Sequence, residues 1–155
     1  MVMNHSDKPT VDFLILADRA EAVNGKLYVM GGGWDRMYVP DFSQQQSISI
    51  ATGILVPWNA TNNNHSLAIR LETQDANELA ALSLNFKAGR PPLLGQAESQ
   101  RVVLAFQLAI RLPGPGTYVV KALINNEESK KAIFYAQMLP TPPTAMLRPS
   151  IQTDL

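Results

Sequence analysis

Apolar and polar residues alternate with a period of two along most of this chain, in segments separated by clusters of Gly, Pro, Asn and Asp. In the longest segment, 101–112, every second residue from Leu104 to Leu112 is large and apolar. Such alternation is typical of β-strands with one face in a core. No stretch of ten residues carries a helical period. We therefore predict an all-β fold, an antiparallel β-sandwich of eight or nine strands, with a small closed barrel as the alternative.

Turn residues divide this pattern into hairpins. Asn24-Gly25 favours a tight two-residue turn, because both central residues must adopt positive φ. The alternating segments 66–73 and 78–87, joined by a polar turn, predict the clearest hairpin of the chain. Three consecutive glycines at 31–33 indicate a bulge or a sharp bend.

The beginning of the chain predicts a strand from Thr10 to Ala17, with Val11, Phe13 and Ile15 on one face. Residues 18–22 follow it as an expected helical turn.

The segment 46–57 predicts a long strand whose outward face is small and weakly polar. That face suits a partner contact, or a covering layer supplied by loops. Its residues are Ser47, Ser49, Ala51, Gly53 and Leu55.

The length of 155 residues favours one domain. We place the sandwich at 10–138, after a flexible N-terminus at 1–9. Residues 139–155 contain four prolines, which forbid a central strand, and predict an extended tail.

The composition limits the classes of partner and of chemistry that we expect for this chain. Thirteen basic and thirteen acidic residues give a net charge of zero, so neither nucleic acid nor a membrane is an expected partner. The absence of cysteine excludes disulfides, cysteine-based metal sites and thiol catalysis, and favours the cytoplasm. A neutral chain also meets less resistance to self-association.

Two stretches carry a family resemblance: residues 15–35, which contain Ala17-Asp18, Asn24-Gly25 and Gly31-Gly32-Gly33-Trp34-Asp35, and residues 112–120, which contain Pro113-Gly114. They resemble a group of uncharacterised bacterial proteins of about this length. The resemblance extends from about Phe13 to Met138 and implies the fold, without an assigned activity.

The sequence contains few candidate residues for catalysis or metal binding. The two histidines lie sixty positions apart and share no motif, so we expect no zinc site, and His65 is interpreted as an exposed residue at a loop edge. Neither a serine-hydrolase motif nor a phosphate loop is present. Asp18, Glu21, Asp35 and Asp41 could converge to bind calcium, and Asp18 and Asp35 could act as catalytic carboxylates. Turn capping or pairing with nearby arginines is the favoured interpretation. We expect no cofactor, metal or catalytic site.

The leading hypothesis is a non-catalytic binding or assembly module that acts on a protein partner or a second copy of itself. A carbohydrate- or small-ligand-binding sandwich that uses the end loops near Trp58 is the first alternative, and a carboxylate-based enzyme is the second. Trp58 has the parity of the inward face, which favours its burial. The candidate ligand or partner surface consists of Asp18, Trp34, Asp35, Arg36, Trp58 and Asn59.

Overall fold

The protein is represented by a computed structural model, and the structure describes residues 7–140. The predictions of a flexible N-terminus and an extended tail concern, for most of their length, residues 1–6 and 141–155, which lie outside this range. Nine strands and one 3₁₀ turn, Trp58–Ala60, form the described fold. The strands are β1 (Thr10–Val23), β2 (Lys26–Gly32), β3 (Arg36–Val39), β4 (Gln46–Pro57), β5 (His65–Thr73), β6 (Glu78–Phe86), β7 (Ser99–Ile110), β8 (Gly116–Ile124) and β9 (Glu127–Met138).

These strands form two sheets, which confirms the predicted sandwich and not a closed barrel. The first sheet has the order β2-β1-β4-β7, and the second has the order β3-β9-β8-β5-β6. Every pair of neighbours is antiparallel except β3 and β9, which run parallel. Within the described residues there is no helix long and apolar enough to cross a membrane.

The core lies between the sheets and uses the alternation that the sequence shows. Ile48, Ile50 and Ile54 of β4 are fully buried, and Leu67 and Ile69 of β5 face them from the other sheet. Burial of one such side chain contributes about 1.5–3 kcal/mol. The strands therefore follow from alternation plus turn residues, as predicted.

Strand β1 differs from the prediction in two ways. A β-bulge between Val11 and Phe13 shifts the register, so Val11 is buried in the core while Phe13 and Ile15 lie on the outer face. The chain also continues as a strand through residues 18–22, where the expected helical turn was wrong. Pairing with β2 across the Asn24-Gly25 turn holds this segment extended.

The outward face of β4 is closed over rather than exposed. Ser49, Ala51 and Gly53 are buried, although they point away from the main core. The Phe13 ring lies over Gly53, with its Cζ 2.6 Å from the place a β-carbon would take. Strands β1 and β7, which flank β4, also contact each other, so the sheet curls around this face. The small residues permit that curl.

Two asparagine-containing turns fix the hairpins. Asn24 and Gly25 have φ values of 52° and 73°, as a tight two-residue turn requires. Asn125 and Asn126, at 51° and 69°, make the same kind of turn between β8 and β9.

Candidate functional site

Two parts of the family-like sequence, which we call the signature, pack against each other: Ala17-Asp18 and Gly31-Gly32-Gly33. Asp18 lies on β1 and Gly31 lies opposite it on β2, with a φ of +60°. A β-carbon at Gly31 would overlap the Asp18 carboxylate, so only glycine fits without a shift. The Gly33 N–H then donates to the Leu16 carbonyl at 2.8 Å. The glycines therefore carry the chain closely past β1 and out of the first sheet.

Trp34 anchors the next segment to the core. Its ring meets Phe134 edge to face, with ring centroids 6.0 Å apart, and Phe134 in turn stacks on Tyr118. Trp34 is half-buried, and its Nε1 is buried without a hydrogen-bond partner among the described residues. Packing therefore holds this side chain, and a polar contact does not.

Asp35 and Arg36 tie the segment to β9. The Tyr135 N–H donates to the Asp35 carbonyl at 2.8 Å, which begins the parallel pairing of β3 with β9. The Arg36 guanidinium lies over the Tyr135 ring at 4.8 Å from its centroid. Both contacts serve the fold, and the Asp35 carboxylate is left exposed to solvent.

A cleft of about 370 Å³ lies beside this segment and gathers three of the predicted site residues, Asp18, Trp34 and Arg36. Asp35 is not among the residues that line it. The Asp18 carboxylate and the Arg36 guanidinium form no ion pair within 7–140. The same described range contains no group of three metal-ligating side chains. The cleft is also lined by Met37, Tyr38, Gln46 and Ser47.

Trp58 and Asn59 lie far from that cleft. Gln46 borders the cleft, and Trp58 follows the other end of the same strand, roughly 40 Å away at about 3.3 Å per residue. Trp58 is half-buried under the Arg90 guanidinium, which sits 3.6 Å from the ring centroid. Asn59 donates its side-chain amide to Asp7 at 2.7 Å. The predicted surface is therefore two separate places.

His65 is not the exposed loop residue that the sequence suggested. It is 8 % exposed, and its ring packs against Phe86. The Asn125 side-chain amide lies 3.1 Å from Nδ1, and the Ala60 carbonyl lies 2.8 Å from Nε2. A neutral ring with its proton on Nε2 satisfies both contacts. His65 is a structural residue that joins the end of the sandwich to the β8–β9 turn.

The β1–β2 hairpin beyond Ala17 forms a distinct feature, which we call the hairpin arm and define as residues 18–32. The pairing of β1 with β4 ends at Ala17, so the arm has no β4 partner. Tyr28 and Met30 are 57 % and 67 % exposed. Leu27 is the only β2 residue that is partly buried, and the other six are exposed. Sequence reasoning missed this surface because the expected helical turn hid the length of the hairpin.

The outer face of the second sheet is instead rich in ion pairs. Lys121 donates to Glu72 at 2.8 Å, and this hydrogen bond holds the pKa of Lys121 above its ordinary value. Arg70 and Glu78 lie 3.6 Å apart on the same face. This surface carries several ion pairs, whereas the hairpin arm holds one within the described residues, between Arg19 and Glu21 at 3.8 Å.

Fold and surface together define a two-sheet β-sandwich domain with an edge hairpin that exposes large apolar side chains. The chain belongs to the family described as "Family of unknown function (DUF6941)", whose model matches residues 12–137. This confirms the resemblance drawn from the sequence. No curated protein matches the chain.

Among solved structures, the chain is similar to the alkylpurine DNA glycosylase AlkC of Pseudomonas fluorescens, bound to DNA containing an abasic site analog. The sequence identity is 14 % and the TM-score is 0.46. The match covers 83 % of this chain but only 30 % of that chain.

Proposed function

We propose that this protein is a non-catalytic protein-binding module whose contact surface is the hairpin arm. The observation that carries the proposal is the exposure of Tyr28 and Met30 on β2, a strand at the edge of its sheet. An edge strand offers unpaired backbone groups, and proteins usually protect such edges with charges, proline or a covering segment. In β2, Lys26 is the only charged residue and there is no proline.

The hairpin arm can contact a partner through both its backbone and its side chains. Its backbone can extend the sheet into a partner strand, which provides affinity, and its large side chains can fill pockets, which provides specificity. Tyrosine and methionine are also enriched in interface cores. A protein partner uses both features, whereas nucleic acid would require a basic surface that a neutral chain does not favour.

A second group of exposed apolar side chains surrounds β3 and β9 but supports the proposal less well. Tyr38 and Ile133 belong to it, and Arg36 covers the ring of Tyr135 there. Strand β9 has neighbours on both sides, so its backbone is already paired. Strand β3 is also an edge of its sheet but has only four residues, so among the described strands β2 joins large exposed apolar side chains to a longer edge.

Photo-cross-linking tests this proposal with a matched control. A photoreactive phenylalanine analogue replaces Tyr28 in one variant and Tyr38 in the other, since these tyrosines are 57 % and 55 % exposed. In the producing cells we expect discrete protein adducts from position 28 and none from position 38. Absence of adducts at position 28, or the same adducts from both positions, would overturn the proposal.

A second candidate function is the binding of a small polar ligand in the cleft. It is favoured by the approach of Asp18, Trp34 and Arg36, whose two charged groups form no ion pair with any other residue between 7 and 140. Screening by thermal shift tests it: a ligand should raise the melting temperature of the native chain, but not that of Arg36→Gln. An equal shift in both proteins would exclude the cleft. Sugar stacking on Trp58 has less support, because Arg90 covers one face of that ring.

We also propose a cytoplasmic location, which rests on the cysteine-free composition. Fractionation of the producing cells tests it, and recovery outside the cytoplasm would contradict it.

A further inference from the structure

We infer that the partner of the hairpin arm is a second copy of this chain, paired through β2 in antiparallel fashion around a two-fold axis at Val29. This inference rests on the proposed function and names its partner. The two four-stranded sheets would then join into one continuous sheet of eight strands, with the two β2 strands at its centre.

Alternate residues of β2 point their backbone N–H and C=O groups toward the open edge, as this pairing requires. In a two-residue hairpin the residues that flank the loop exchange both hydrogen bonds, and here these residues are Val23 and Lys26. Alternation then directs the backbone groups of Tyr28 toward β1. The N–H and C=O groups of Leu27 and Val29 point to the open edge, where those of Val29 can pair with Val29 of a second copy and those of Leu27 with its Gly31.

The side chains are self-complementary in this register. Tyr28 and Met30 share one face, since they lie opposite Glu21 and Arg19 of β1. With the axis at Val29, each Tyr28 lies opposite Met30 of the second copy. A methionine sulfur beside an aromatic ring is a favourable contact. Two such pairs form at once and bury the most exposed apolar side chains of the arm.

Charge and symmetry favour a second copy over other occupants. Lys26, the only charged residue of β2, lies opposite Gly32 of the second copy, so no like charges meet. The net charge of zero adds no long-range repulsion. A two-fold contact also closes after two copies, whereas pairing of β2 with β7, the other edge of this sheet, would continue into a filament.

Single cysteines test the register, because the chain contains no cysteine of its own. In Val29→Cys the two thiols lie opposite each other, about 5.5 Å apart at Cα, and a short bis-maleimide should link two chains. In Lys26→Cys the thiols are displaced by six residues, about 20 Å, and should not be linked. Equal linking of both variants, or failure of Val29→Cys to link, overturns the register.

A second pair of variants tests the strand pairing by light scattering. Val29→Pro removes the N–H that points to the open edge and leaves the β1–β2 hydrogen bonds in place, while Val29→Ala keeps that N–H. We expect twice the 17.0 kDa chain mass for the native and Val29→Ala proteins, and the single mass for Val29→Pro. A single-chain mass for the native protein, or a dimeric Val29→Pro protein, overturns the inference.

The two proposals fail differently. If the purified native chain is monomeric but position 28 cross-links to a different protein in cells, the hairpin arm remains a binding surface and the second copy is excluded. If position 28 yields no adduct at all, the proposed function fails as well.

Discussion

The Asp18 carboxylate occupies the space into which a side chain at Gly31 would extend. The Ala-Asp and Gly-Gly-Gly parts of the signature are therefore in contact across the β1–β2 pair. Their spacing in sequence follows from a hairpin that returns Gly31 to the position opposite Asp18. This contact is a requirement of the fold and positions the base of the hairpin arm.

Replacement of Gly31 by alanine should therefore destabilise the protein by about 2–3 kcal/mol, from positive φ and from overlap with Asp18. Gly33→Ala is the matched control, because Gly33 also has positive φ but no atom within 4 Å of its β-carbon position. It should cost about 1 kcal/mol. Urea unfolding measures both, and Asp18→Ala should recover part of the excess at Gly31. Equal losses at both glycines would contradict the contact.

Gly53→Ala should destabilise the protein by about 1–3 kcal/mol, because the Phe13 ring fills the space the methyl group needs. Gly89→Ala offers a control at a glycine with open space around it, and should stay within about 0.5 kcal/mol of the native protein. Thermal unfolding of both variants checks this. A neutral Gly53→Ala would show that Phe13 does not hold the curled face closed.

Arg90→Gln should uncover Trp58 and increase the quenching of its fluorescence by acrylamide. The guanidinium stacks on the ring and also donates to the Trp58 carbonyl at 2.9 Å. We expect a loss of about 1–2 kcal/mol of stability. Arg111→Gln, at an exposed arginine, serves as the control and should change neither property. Unchanged quenching in Arg90→Gln would contradict the stacked arrangement.

Asp41 provides a prediction about pH. The Ser43 hydroxyl donates to its carboxylate at 2.7 Å and the Ser43 N–H donates at 2.9 Å, and both lower the pKa of Asp41. Since the folded-state pKa lies below the unfolded one, this contribution to stability is present above the unfolded pKa. It is lost as the pH falls through the folded pKa.

Ser43→Ala removes the larger of these two hydrogen bonds, so the pKa of Asp41 should rise toward its ordinary value. Carboxyl NMR titration measures the change. Ser47→Ala should leave the titration as it is, because the Ser47 hydroxyl accepts from Gln107 and not from Asp41. An Asp41 titration unaffected by Ser43→Ala would disprove this cause.

Alternation and turn residues were sufficient to predict most of the strands. The β5–β6 hairpin and the Asn24-Gly25 turn are where the sequence indicated, because they depend on local residues alone. Residues 18–22 were assigned wrongly, since Asp, Arg, Ala and Glu suit a helical turn locally. Pairing with β2 overrides that preference.

The site was harder to predict because its contacts join distant segments. The bulge after Val11 inverts the faces of β1, and no residue type marks it. Arg90 reaches Trp58 across 32 positions, and Asn125 reaches His65 across 60. Of the six residues that the sequence grouped as one candidate surface, Asp18, Trp34 and Arg36 line one cleft, because they flank a single hairpin and its exit.

The exchange rate of the Val29 amide tests the role of the open β2 edge most directly. In dilute solution the amides of Tyr28 and Met30 should exchange slowly, because they bond to β1, and those of Leu27 and Val29 should exchange quickly. At high protein concentration all four should exchange slowly, since a second copy then pairs with the edge. Fast exchange at Val29 at every concentration would contradict pairing of this edge with a second copy.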